Sequence, residues 1–117
     1  MNLTILRGTL SSPPVLRTLP SGDEITVLQV TTEPWGAHPK SSVPVCVTGA
    51  GAAARWEAGD RVVVVGSVRR RFFRTGGVTA SATEIQAAQV IAASAAKRVE
   101  RALAAAALEF SSAAMSS

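Results

Sequence analysis

The chain has a single cysteine, Cys46, so no intrachain disulfide can form and no thiolate-rich zinc cluster can be built. Histidine is equally scarce, with His38 alone, and aspartate occurs only at Asp23 and Asp60. These residues offer no convincing nucleophile–base pair and no metal-ligand set, so the expectation is a non-enzymatic protein without cofactor or metal. No apolar run approaches the length of a bilayer-crossing helix. The opening residues lack a charged start followed by a long apolar segment and a cleavage site. A cytoplasmic, nucleoid-associated location with no membrane contact is therefore expected. There is no internal repeat.

Positive charge and small apolar residues are plentiful. At 117 residues with 47% hydrophobic residues, the chain can hold one domain with a real core, plus an extension. A domain this small would gain from oligomerisation, which buries more surface. The formal net charge is +4, and all basic residues except Lys40 and Lys97 are arginine. Arginine grips phosphate in a planar fork and stacks on bases, so a phosphate-rich partner is compatible with this balance. The competing explanation is a compositional bias toward Arg and Ala, which the Ala-rich C-terminal stretch shares.

Local patterning predicts mostly strands. Residues 2–10 alternate as a strand that Pro13 and Pro14 break, and residues 15–19 form a short extended piece closed by a turn at Pro20-Ser21-Gly22-Asp23. Residues 24–32 are rich in β-branched side chains and read as a long strand. A loop over 33–42 follows, holding Trp35 and His38. Residues 43–48 form a strand with Val43, Val45 and Val47 on one face, and Pro44 marks it as an edge or a bulge. Residues 50–58 suit a short helix in which Trp56 packs on the core. Residues 61–73 and 79–91 form two further strands joined at Gly76-Gly77. From Ala92 the composition shifts: residues 92–110 read as an Ala-rich amphipathic helix, capped at Ser94, with Val99, Leu103, Ala107 and Phe110 on one stripe. Residues 111–117 read as a flexible, uncharged tail.

Five strands with a helix between the third and fourth is the strand order of an all-β OB-fold barrel, here with a C-terminal amphipathic helix. Particular segments raise this expectation. The run Met1 to Gly22, the passage Thr32-Glu33-Pro34-Trp35, the stretch Ala58-Gly59-Asp60-Arg61-Val62-Val63-Val64-Val65-Gly66-Ser67-Val68-Arg69 and the triplet Thr83-Glu84-Ile85 together resemble the bacterial single-stranded DNA-binding protein family. The resemblance covers residues 1–91, which would be the DNA-binding domain. It implies base stacking on Trp35 and Phe73, phosphate contacts from Arg17, Arg69 and Arg71, and homo-oligomers, tetramers by family habit. It also implies roles in DNA replication, recombination or repair. Two family stacking positions are Ser42 and Thr48 here, and the acidic C-terminal tip that recruits partner enzymes has no counterpart in residues 111–117.

The residues support part of this on their own. Arg69, Arg71 and Phe73 alternate along one strand and so share a face, the combination single-stranded nucleic acid needs. Arg74 is a further candidate phosphate contact. The alternative is a solvated strand end with an incidental aromatic. Val63 and Val65 would point outward if Val62, Val64 and Val68 face the interior, and the apolar stripe of the C-terminal helix (Val99, Leu103, Phe110) also needs cover. A second subunit or the chain's own helix would satisfy both. Two functions follow as expectations: binding of single-stranded DNA, with RNA as a possible ligand, or an OB-fold assembly module with weak or no nucleic-acid affinity.

Overall fold

The computed structural model describes residues 1–116. In chain order the described residues form β1 (Thr4–Leu10), β2 (Val15–Thr18), β3 (Glu24–Thr32), β4 (Ser42–Thr48), α1 (Gly51–Arg55), β5 (Arg61–Thr75), β6 (Val78–Ala92) and α2 (Ala96–Ser116). The strands belong to one sheet in the order β1-β5-β6-β4-β3-β2, and β1 also pairs with β3. That extra pairing closes a ring through β1, β3, β4, β6 and β5. The fold is thus mostly β and barrel-like, with a single long helix at its C-terminal end.

The double proline explains how β1 and β2 share one neighbour. Gly8 and Leu10 face Thr32 and Val30 on the second half of β3, whereas Val15 and Thr18 face Val27 and Glu24 on its first half. Pro13 and Pro14 interrupt the run where the chain bends between these two pairings. The extended piece expected at 15–19 is therefore a strand of its own, pairing only with β3. Pro44 faces Gln29 just before β6 joins β4 at Val45 and Cys46, so it lies where β4 still has a free edge.

The interior follows the alternation of the strands. Leu10, Leu28, Val30, Val45, Val62, Val64 and Ile85 form the main cluster, with Leu6, Val43, Val47 and Trp56 packed against it. Each buried branched side chain contributes roughly 1.5–3 kcal/mol relative to exposure. Two glycines permit the tight closure. A Cβ on Gly8 would lie 2.2 Å from the Thr31 carbonyl oxygen, and one on Gly66 would lie 2.2 Å from that of Gln86. Gly66 also sits at the register shift between Val65 and Gly66, where β6 carries an extra residue.

Three expectations need correction. Val68 shares the parity of Val62 and Val64 but is 42% exposed; the pairing of β5 with β1 ends at Gly66, so Val68 keeps a strand neighbour only on its β6 side. The helix begins at Ala96, so Ser94 lies outside it, and the Ala95 carbonyl accepts the Val99 N–H. At its other end α2 runs on through Ser116, where a flexible tail is expected from composition. Residue 117 lies outside the described residues.

The covering of the outward valines is resolved within the chain for Val65. Val63 and Val65 are both buried. Val65 clusters with Ile91, Ala102 and Ala106, joined by Leu3, Ala95 and Val99. The helix thus turns its alanines, not its larger residues, to the barrel, since small side chains let it lie close to the sheet. Leu103 and Phe110 are exposed on its flank, so of the expected stripe only Val99 joins the contact with the barrel.

Candidate nucleic-acid interface

Beyond Gly66 strand β5 loses β1, and beyond Val68, whose partner Ile85 still pairs with Val45 of β4, β5 and β6 leave the barrel together. From Arg69 paired with Glu84 to Thr75 paired with Val78, the two strands contact each other in register and form a two-stranded arm. Gly76 and Gly77, both at positive φ, make its tip. At about 3.3 Å per residue the arm extends roughly 20 Å.

Arg69, Arg71 and Phe73 project from one face of the arm, as their alternation requires. Their cross-strand neighbours are Glu84, Ala82 and Ala80, so small residues leave Arg71 and Phe73 open. The Arg71 guanidinium lies 5.7 Å from the centre of the Phe73 ring, and Phe73 is 40% exposed. Such a cation–ring contact presents the guanidinium beside the aromatic rather than in free solution.

At the root of this face lies a polar cluster. Glu84 is buried; its Oε1 accepts hydrogen bonds from Arg69 Nε at 3.1 Å and Nη2 at 2.9 Å. Arg71 Nε is 4.0 Å from the same oxygen. The Cys46 thiol donates to Glu84 Oε2 at 2.9 Å. Burial works to raise the Glu84 pKa, but the hydrogen bonds from Cys46 and Arg69 and the charges of Arg69 and Arg71 outweigh it, and the carboxyl is held below its usual range. Burial, then the hydrogen bond to Glu84 and its negative charge, push the Cys46 thiol up to about 11. Cys46 is thereby a protonated donor and no nucleophile.

This face borders a groove of about 670 Å³. Arg69, Arg71 and Glu84 line one side; Ile25 and Thr48 lie in β3 and β4; Leu19 and Asp23, at the β2–β3 turn, line the other. Arg17 pairs with Ile25, which pairs in turn with Thr48, so Arg17 shares the outer face at the groove's far rim. Thr48, where the family resemblance implies an aromatic, lines the groove without offering a ring.

The other expected residues are not gathered here. Trp35 sits in the β3–β4 loop, 79% exposed and stacked on His38 with ring centres 5.9 Å apart and planes 9° from parallel. Reciprocal backbone hydrogen bonds between Trp35 and His38 hold this turn. The loop leaves β3 after Thr32 and enters β4 at Ser42, six residues from Thr48, or about 20 Å along the strand. Beside it Glu33 binds Arg61 at 2.7 Å and Arg7 at 3.2 Å, so these two arginines already have an anionic partner. Arg74 lies on the opposite face of the arm from Arg71, and its Nη2 donates to the Gly77 carbonyl at 3.2 Å.

Residue types alone do not flag Glu84 and Cys46 as part of the site. One signal was present: counting the hairpin outward from Gly76-Gly77 places Glu84 opposite Arg69. The burial of the pair depends on β3 and β4 lying alongside, which local sequence does not encode.

No protein-family model matches this chain, and no curated protein matches it. Among the described residues no group of three or more His, Cys, Asp or Glu could hold a metal ion, and no helix is long and apolar enough to cross a membrane.

Proposed function

We propose that this chain is an OB-fold protein that binds single-stranded DNA with little sequence preference, in the service of DNA replication, recombination or repair. Counting β1 and β2 as one strand broken at Pro13-Pro14 supports the fold reading. The ring of pairings then has the OB order, with a parallel contact between the third and fifth strands and a short helix between the third and fourth. In that scaffold the second and third strands and the loops joining strands one to two and four to five take up oligonucleotides. Here those elements are the outer faces of β3 and β4, the β2–β3 turn and the arm.

The observation that carries the functional reading is Arg69, Arg71 and Phe73 aligned on one face of the arm beside the groove. Phe73 offers a stacking platform, Arg71 neutralises phosphate, Arg69 adds the guanidinium donors that Glu84 leaves open, and Arg17 contacts phosphate across the groove. Trp35, about 20 Å along the strand direction, serves a more distant nucleotide of the same strand, a span in keeping with the several nucleotides an OB-fold covers. RNA would satisfy the same contacts. Residence in the cytoplasm and assembly into homo-oligomers belong to the same proposal.

A titration of short oligothymidylates at rising salt tests it. The affinity should fall with salt by about 0.7 in log K per log salt for each phosphate contact. Phe73→Ala should weaken binding by roughly fivefold or more, the lower end for loss of one stacked base. Absence of saturable binding at low salt would overturn the proposal.

A second reading, an OB-fold assembly module, is favoured by two observations. Arg69 is engaged with a buried carboxylate, and β4 carries Ser42 and Thr48 at the positions where the resemblance implies stacking aromatics. Stable assembly with no nucleic-acid affinity would select it.

A further inference from the structure

The back of the arm carries a second set of the same chemistry. Arg70, Phe72 and Arg74 alternate with the front residues and face Thr83, Ser81 and Thr79 across the ladder. Phe72 is 65% exposed, and Arg70 and Arg74 flank it on the same face. Small hydroxyl residues opposite leave the ring standing clear. Neither arginine has a carboxylate partner among the described residues; Arg74 is tied only to the Gly77 carbonyl. The contrast with the front is one of charge, since there Glu84 offsets Arg69. Between Val68 and Thr83 the sequence holds Arg69, Arg70, Arg71 and Arg74 and no acid.

Free strand edges recruit charged residues to discourage pairing with other chains, and that would account for the arginines. It does not account for Phe72, since a large exposed ring on a two-stranded ribbon invites the association the charges prevent. Base stacking does account for it, because a base needs an open ring with cations at hand for the phosphates on either side.

We propose that Arg70, Phe72 and Arg74 form a second binding face for single-stranded nucleic acid, so that a long strand passes along the front of the arm and returns over its back. The occupant follows from charge complementarity: a surface of guanidiniums and one ring, without carboxylates, takes a polyanion of stackable bases. This inference rests on the proposed single-strand binding at the front face, and the experiment separates the two.

The full chain is titrated with oligothymidylates of about 8 and about 30 nucleotides, the shorter within the span of one OB-fold face. The variants are Arg70→Ala with Phe72→Ala, Arg71→Ala with Phe73→Ala, and Arg70→Glu alone, which leaves both rings in place. Thermal unfolding confirms that each is folded. The back-face double variant should bind the short strand within twofold of wild type and the long strand about tenfold more weakly. Its salt dependence on the long strand should be shallower by about 0.7 in log K per log salt for the lost Arg70 contact. Arg70→Glu should weaken the long strand in the same way, and the front-face variant should weaken both lengths. Wild-type affinity and salt slope for the long strand in the back-face variants would overturn the inference and leave the front-face reading standing. Weakening by the back-face variants with none from the front-face variant would instead overturn the front-face reading. Failure of the wild-type chain to bind either strand would overturn both.

Discussion

Glu84 accepts hydrogen bonds from the Cys46 thiol and the Arg69 guanidinium while burial removes it from water. Its carboxyl is the element that fixes where Arg69 points, because a guanidinium fork binds a carboxylate in a defined geometry. The sign of its pH dependence follows from its pKa, held below the ordinary 4.5 in the folded state. A depressed carboxyl contributes stability that is fully present above its unfolded pKa and is lost as the pH falls through the folded value. Glu84→Gln, which keeps the shape and removes the charge, should therefore lower stability at pH 7 by about 1–2 kcal/mol, modest because Arg69 is half-exposed. The gap between variant and wild type should be smaller at pH 3 than at pH 7, read as urea midpoints at the two values. An equal gap at both would show that the charge contributes nothing.

Among the elements, β5 carries most of the structure, and its parts differ in how far they are legible in sequence. The four valines from Val62 to Val65 announce a strand buried on both faces, and the Gly76-Gly77 tip sets the register of the arm. Arg69, Arg71 and Phe73 sharing a face is likewise a consequence of alternation, readable before any tertiary contact. The helix is less legible: periodicity finds it, but Leu103 and Phe110 do not mark the face that meets the barrel. Which stripe docks depends on how closely the backbone can approach Val65 and Ile91, and alanine wins that contest by size rather than hydrophobicity. The length of the arm beyond the barrel is illegible for a similar reason, since it is set by where β1 stops pairing with β5 at Gly66 and β4 with β6 at Ile85. Gly66 is then the element's most sensitive position. An added Cβ would meet the backbone of Gln86 at 2.2 Å and of Ala87 at 3.0 Å, atoms that cannot move without parting β5 from β6. Gly66→Ala should cost about 3 kcal/mol, in the range of overpacking, measured by denaturant unfolding. A loss below about 0.5 kcal/mol, ordinary for a surface substitution, would mean that the bulge relaxes freely.

Over the whole molecule, charge and apolar cover are separated along the β5–β6 pair. The arm at one end carries arginines on both faces, while α2 lies against Val65 and Ile91, where the pair belongs to the barrel. Since α2 covers Val65 within the chain, this valine does not require a second subunit. Exposed apolar side chains that assembly could cover include Leu103, Leu108 and Phe110 on the helix flank and Ile5, Val15 and Leu16 on the barrel. Binding and helix docking should then be separable by mutation. Ala106→Asp places a carboxylate against Val65 and Ile91 and should lower stability by about 2–3 kcal/mol, for burial of a charged group against apolar side chains. Measured where the variant remains folded, its salt slope for single-stranded DNA should equal that of wild type, since among the described residues α2 packs on Val65 and Ile91 at the barrel end of the pair and not on the arm. The front-face arm variant should do the reverse, with a shallower salt slope and a thermal midpoint near wild type. If Ala106→Asp flattened the salt slope as well, the helix and the arm would be acting as one unit, and the strand would have to contact α2.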